Sequence, residues 1–204
     1  MNADTDARAD QLDEDELLQL AIHASGQDRH DLAISYLKQA VHRNPRNAKV
    51  VYLLGAEHAQ IGLFPRAMEE MQKAVDLDPA LYAARLQLGL LYLTSAMVEP
   101  SVATLKPLED LGDDNYYSCF SRGLQHLILD EFADCRHWMQ KGMSINGDNL
   151  ALNGDMQRIL DALPAEAASA ATVTAPGGTA GNTPAKDGKN WLSAYHGDDD
   201  GASH

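Results

Sequence analysis

Residues 48–81 read AKVVYLLGAEHAQIGLFPRAMEEMQKAVDLDPAL, and the small residues of this stretch recur along the chain at one fixed interval, the repeat period. Gly55, Gly89 and Gly123 keep this interval, and Ala21 lies one interval before them. Three more series keep it as well: Ala33, Ala67, Ser101 and Cys135; Ala40 and Ala74; and Pro45 and Pro79. A period of about 34 residues indicates a repeat protein, in which each unit is one small motif that stacks on its neighbours.

The stretch 48–81 predicts two helices joined by a short turn. Both 48–62 and 64–78 carry apolar residues at helical spacing, and Pro65 falls in a first helical turn, where its missing N–H is tolerated. Glycine or alanine at the repeated positions lets two helices approach closely. Because each hairpin leaves one apolar face for a neighbour to cover, we expect a helical array without β-sheet over residues 14–163.

This pattern resembles that of the tetratricopeptide repeat family, in which small residues and a closing proline occupy set positions of a helix pair. The second unit matches the pattern at these positions: Leu54, Gly55, Gly62, Phe64, Ala67, Ala74 and Pro79. The resemblance implies an all-α fold, a right-handed superhelical array of antiparallel helix pairs. It implies four repeats and a C-terminal capping helix with these bounds: 14–47, 48–81, 82–115, 116–149 and, for the capping helix, 150–163.

The third and fourth repeats depart from the family pattern. Leu108 stands where alanine is expected, and Pro107 predicts a kink or an early end of its helix, because proline lacks an amide hydrogen. We expect a bulky residue at Gly89 or Gly123 to destabilise the fold by a few kcal/mol, on the order of other overpacked cores. We expect Gly142 to be more tolerant, because its repeat is already irregular.

Charge and composition exclude several classes of partner. The chain has 16 Lys and Arg against 30 Asp and Glu, a net charge of -14 that repels nucleic acid and anionic lipid. No apolar run reaches the roughly 20 residues of a membrane-spanning helix, so we expect no membrane insertion. Residues 1–13 are acidic, unlike a secretory signal, and we expect them to be flexible and the protein to be cytoplasmic.

The sequence contains no catalytic or cofactor motif. The repeat glycines occur singly, whereas a phosphate-binding loop has several glycines close together. Neither a serine nucleophile elbow nor an H-E-x-x-H motif occurs. Cys119 and His126 are about 10 Å apart along one helix, too far for a shared zinc ion. Together with Cys135 and His58, they fall at inward positions and are expected to be core residues. We therefore predict a protein that is not an enzyme and has no cofactor or metal.

The resemblance also predicts a binding surface, because the first helix of each repeat lines the concave face of such arrays. The apolar and aromatic residues expected on that face form the predicted groove: Leu18, Ile22, Tyr52, Leu86, Leu90, Leu93, Tyr117, Phe120, Leu124 and Leu127. We expect Tyr52 and Tyr117 to act as aromatic anchors. Because Leu90 and Phe120 are expected to face this groove, aspartate at both should abolish binding without unfolding the chain.

Two alternatives are open for what covers this apolar face. A partner protein covers it with an amphipathic or extended apolar segment, or the capping helix and tail of the chain itself cover it. Family members that bind the carboxylate termini of chaperones carry Lys, Arg and Asn in the groove. Leu18, Ile22 and Ala56 stand in such positions here, which excludes that carboxylate clamp.

The C-terminal tail holds a second candidate binding element. Residues 164–204 are rich in Ala, Thr, Gly, Ser and Pro and are predicted to be disordered. A short aromatic motif at 190–196 contains Trp191, Leu192 and Tyr195. Three interpretations are open: the motif covers the chain's own groove, it binds a second protein, or it has no function.

The sequence therefore predicts a protein-binding adaptor or chaperone that holds an apolar segment of a partner. It resembles, more weakly, the small tetratricopeptide repeat chaperones of bacterial secretion systems. The alternative is a structural subunit of a larger complex or homo-oligomer, such as a homodimer, whose groove is covered by its own tail or by a neighbour.

Overall fold

The structure is a computed structural model that describes residues 12–164. The acidic N-terminus, most of the predicted tail and the tail motif of Trp191, Leu192 and Tyr195 lie outside the described residues. Within 12–164 the regular elements are all helical and no strand occurs, which confirms the predicted all-α class. The chain divides into two compact units, with the boundary between Asp110 and Leu111, and each unit is described by itself.

The first unit consists of three helix pairs. Their bounds are α1 (Glu14–Ser25) with α2 (His30–Arg43), α3 (Ala48–Gln60) with α4 (Phe64–Leu77), and α5 (Tyr82–Thr94) with α6 (Val98–Leu105). Successive pairs pack through α2 against α3 and through α4 against α5. The first helices of successive pairs begin one repeat period apart, so the sequence period is also the period of the helix pairs.

Local signals start these helices and turn the chain between them. Asp13 and Glu16 form a reciprocal capping box at α1, in which each side chain accepts the backbone N–H of the other residue at 2.8–2.9 Å. The side chain of Asn47 accepts from the N–H groups of Lys49 and Val50 in the first turn of α3. The turn inside each pair has a residue at positive φ, and these residues too are one repeat period apart: Asp28 (57°), Gly62 (76°), Ala96 (60°) and Asp130 (60°).

Pro107 ends α6 early, as its lack of an amide hydrogen predicts. The helix stops at Leu105, and the chain continues as a 3₁₀ helix over Lys106–Leu111. Leu105 and Leu108 are both fully buried. Leu108 therefore remains buried although the α-helix has ended.

The second unit consists of one helix pair and the predicted capping helix. Their bounds are α7 (Tyr116–Ile128), α8 (Phe132–Ile145) and α9 (Leu150–Ala162). The α9 helix packs on α8 and buries four apolar residues: Leu152, Met156, Ile159 and Leu160. The buried amide of Asn146 donates to the Asn149 carbonyl and to Asn153 Oδ1, each at 2.8 Å, and so holds the turn that leads into α9.

Glycines mark the closest helix approaches in both units. A Cβ atom at Gly89 would lie 2.5 Å from Leu105 Cγ, and one at Gly123 would lie 3.0 Å from Met139 Cγ. The approach at Gly142 is just as tight, because a Cβ atom there would lie within 2.6 Å of two ring carbons of Phe120. The expectation that Gly142 is tolerant is therefore wrong.

Candidate functional site

The residues of the predicted groove differ widely in exposure. Five have at most 2% of their surface exposed: Leu86, Leu93, Phe120, Leu124 and Leu127. Leu18 is 8% exposed, whereas Tyr52, Leu90 and Tyr117 are half-buried and Ile22 is 47% exposed. A partner can reach only these last four without displacing core side chains. The five buried residues correct the picture of an open apolar groove along every first helix.

The physical reason is that α5 and α7 are covered on more than one face. Residues 118–121 of α7 are all buried, although four consecutive helical residues point in every direction around the axis. In α5, Leu86 and Leu88 are both fully buried, although two residues two positions apart lie on nearly opposite sides of a helix. A sequence pattern that assumes one solvent-facing side therefore assigns too many residues to the groove.

Ile22, one of the accessible groove residues of the first unit, lines a pocket of about 150 Å³. It is lined by Ala21, Ile22, Ser25, Leu37, Leu53 and Glu57. Helices α1 and α3, the first helices of two neighbouring pairs, supply all of these except Leu37 of α2. A cavity of this volume holds one group of about the size of benzene, so it fits one leucine or phenylalanine side chain.

Glu57 gives this apolar pocket one charged group. Its side chain is only 9% exposed, and its Oε2 lies 2.8 Å from Nδ1 of His30 on α2. Buried carboxylates need such partners, because an unpaired charge is strongly disfavoured away from water. Glu57 is not among the predicted groove residues; its signal in the sequence is a carboxylate at the repeat position that holds Leu91 in the third pair.

No protein-family model matches this sequence, and no curated protein matches it. Solved structures do match its fold. A thermophilic tetratricopeptide repeat protein of Thermus thermophilus is 20% identical with a TM-score of 0.58, over 72% of this chain and 84% of that chain. The chain has the tetratricopeptide repeat fold.

Two further structures are similar at comparable levels. MamA of Desulfovibrio magneticus RS-1 is 16% identical with a TM-score of 0.54, over 72% of this chain and 85% of that chain. Pseudomonas aeruginosa PilF is 16% identical with a TM-score of 0.56, over 72% of each chain. These likenesses concern the tetratricopeptide repeat fold alone. Across residues 12–164, no helix is long and apolar enough to cross a membrane.

The two cysteines of the chain lie in the core of the second unit. Cys119 and Cys135 are buried free thiols, as expected from their repeat positions. Burial raises the pKa of the Cys135 thiol to about 11, and burial also raises the pKa of the Cys119 thiol. Both side chains are therefore protonated at neutral pH, a state in which a thiol is a poor nucleophile and a poor metal ligand.

The two histidines that share a repeat position differ in burial. His58 is buried, and its Nδ1 lies 2.5 Å from Glu70 Oε2. His126 is partly exposed rather than in the core, and Trp138 instead of a carboxylate occupies the repeat position of Glu70. Its Nδ1 lies instead 2.6 Å from Oε2 of Glu131.

Asp134 adds a third group that could ligate a metal beside His126 and Glu131. One ligand atom from each of these residues lies within 4.8 Å of the others. Glu131 and Asp134 are exposed to solvent, and exposed acidic groups commonly occur without a metal. We therefore assign no metal to this cluster.

Proposed function

We propose that this chain is a non-enzymatic adaptor that binds an apolar or amphipathic segment of a partner protein at the pocket between α1 and α3. The observation that carries this proposal is the pocket itself, with Ile22 at its edge, 47% exposed. One exposed isoleucine is ordinary, but an apolar concavity with a single charged group is typical of a binding site. The proposal keeps the predicted cytoplasmic location.

The pocket alone does not supply enough binding energy. Burying one leucine-sized side chain contributes about 1.5–3 kcal/mol, whereas a micromolar complex needs about 8 kcal/mol. The remaining contacts would come from the other accessible groove residues of the same unit, Tyr52 and Leu90. The partner is therefore expected to be an extended or helical segment of several residues rather than one inserted side chain.

Replacing Ile22 with aspartate is expected to abolish partner capture in affinity purification from the native cell. The carboxylate would place a charge at the edge of the apolar pocket, where a partner side chain must be desolvated. The matched control is Ile61→Asp, because Ile61 is the same residue with 45% exposure and lies outside the lining of the pocket. Both variants should keep the helical circular dichroism of the wild type. Loss of the same captured proteins from both variants, or from neither, would contradict this site.

A structural assembly subunit is the second candidate, and a row of exposed apolar residues favours it. Four large side chains where α4 and α6 begin are 41–45% exposed: Leu63, Phe64, Met97 and Val98. They occupy the same two repeat positions, one repeat period apart. This row is a surface that a second copy of the chain would cover.

Light scattering at micromolar concentration distinguishes the two candidates. The assembly role predicts a homo-oligomer that the double variant Phe64→Asp and Val98→Asp disperses into monomers. The adaptor role predicts that the wild type and this double variant have the same mass. A wild-type oligomer that the double variant leaves unchanged would contradict the use of this row in assembly.

A further inference from the structure

We propose that the segment held at the pocket is a basic amphipathic helix, with one apolar side chain in the pocket and a lysine or arginine beside it that pairs with Glu57. This inference rests on the proposed function and adds the chemistry of the partner. It follows from the placement of one buried carboxylate in a lining that otherwise consists of four apolar residues and Ser25.

Glu57 can accept a second partner without losing its first. His30 occupies Oε2 of Glu57, and a carboxylate has about four acceptor positions on its two oxygens. The apolar side chains around it, Leu53 and Ile22 among them, lower the local dielectric. A cation that enters this pocket therefore gains more from Glu57 than it would from a carboxylate in water.

The net charge of the chain also favours a cationic segment. Asp15 is exposed on α1, but it lies seven residues before Ile22, about 10 Å along the helix, so salt screens its charge at the pocket. Lys49 lies on α3, but eight residues from Glu57 are about 12 Å along a helix, beyond the screening length of about 8 Å at physiological salt. The chain as a whole carries a net charge of -14, which attracts a basic segment and repels an acidic one.

Helical geometry brings the two required groups together. Residues i and i+3 or i+4 of a helix lie about 5–6 Å apart on one face. Glu57 and the apolar lining belong to a single pocket of about 150 Å³, so the same short spacing separates the two groups of the receptor. The expected partner motif is a large apolar residue with lysine or arginine three or four positions away.

The chain's own tail fits this chemistry less well than a basic segment of a partner. Lys189 precedes the tail motif, but three consecutive aspartates follow it at 198–200. These carboxylates would add to the negative charge near Asp15 and Glu57. A second copy of the chain carries the same net negative charge and is disfavoured for the same reason.

Three synthetic helical peptides test the inference on the full-length chain by fluorescence anisotropy. They share one leucine pattern and carry lysine, glutamine or glutamate at the positions three and four residues from each leucine. We expect the lysine peptide to bind at least tenfold more tightly than the glutamine peptide, and the glutamate peptide to bind more weakly than both. The advantage of lysine should fall when the salt concentration rises from about 0.15 to about 0.5 M.

Glu57→Gln is expected to remove most of the difference between the lysine and glutamine peptides. Glutamine still offers His30 a hydrogen-bond partner, and thermal unfolding checks that the fold is kept. The control Glu69→Gln removes one exposed carboxylate of α4 and should leave the difference at its wild-type value.

The outcomes separate failure of this inference from failure of the proposed function. Equal binding of the lysine and glutamine peptides overturns the inference that the partner is basic, but it does not contradict the apolar binding site. Binding of none of the three peptides contradicts both. Displacement of the lysine peptide by a tighter-binding synthetic 186–204 peptide assigns the pocket to the chain's own tail. A wild-type dimer that Ile22→Asp dissociates assigns it to a second copy, and either result overturns the inference.

Discussion

Replacing Phe120 with aspartate is expected to unfold the second unit rather than to weaken partner binding. Phe120 has no exposed surface, and its ring lies 6.0 Å from that of Tyr116 and against Gly142. Loss of a buried phenylalanine costs about 3–5 kcal/mol, and an unpaired buried carboxylate adds several more. The sum is comparable to the whole stability of a typical domain, about 5–15 kcal/mol.

Circular dichroism and urea unfolding check this result. Phe64→Asp is the matched control, because Phe64 is 41% exposed and aspartate there remains in contact with water. The control should keep a cooperative unfolding transition, whereas Phe120→Asp should lose helical signal. A Phe120→Asp protein with the unfolding midpoint of the wild type would show that Phe120 faces an open groove after all.

The second large effect is expected from a single methyl group at position 142. Alanine is favoured over glycine inside a helix by about 1 kcal/mol, but its Cβ atom would lie 2.6 Å from Cδ1 of Phe120 and 3.1 Å from Cβ of Cys119. Overpacking of a close-packed core costs about 1–3 kcal/mol, and more where the neighbours cannot move. Because the buried ring has little room to shift, steric strain outweighs propensity, and Gly142→Ala should destabilise the fold by about 2 kcal/mol.

Two further variants isolate the cause. Gly154→Ala is the matched control, because Gly154 lies inside α9 with no atom near its added Cβ, so alanine there should stabilise by about 0.5–1 kcal/mol. Phe120→Leu should destabilise by itself, yet it should reduce the cost of Gly142→Ala, because leucine lacks the clashing ring edge. Additive effects in this double-mutant cycle, measured by urea unfolding, would rule out the contact as the cause.

The sequence determined the helix pairs because their signals are local. The small residues of each pair recur at the repeat period, so the pattern predicts the pairs. Pro107 predicts the end of α6 because it has no amide hydrogen. Such signals act between residues that are close along the chain, so they can be read without knowing which helices meet. The all-α class follows from them directly.

The tertiary structure alone decides which side chains remain accessible. The first helices α5 and α7 are rich in apolar and small residues on every side, so no periodic pattern distinguishes Leu86 from Leu90, or Phe120 from Tyr117. Accessibility depends on which neighbours cover each face, and that is a property of packing between distant segments.

The pocket and the tight glycine contact depend on the same kind of distant packing. Glu57 lines an apolar pocket only because α1 and α3 come together there, and His30 of α2 reaches its carboxylate. Gly142 is intolerant only because the ring of Phe120, on the preceding helix, fills the space of its missing Cβ. Local sequence therefore determined where the helices form, and packing at van der Waals distance decided which of their residues can bind or be changed.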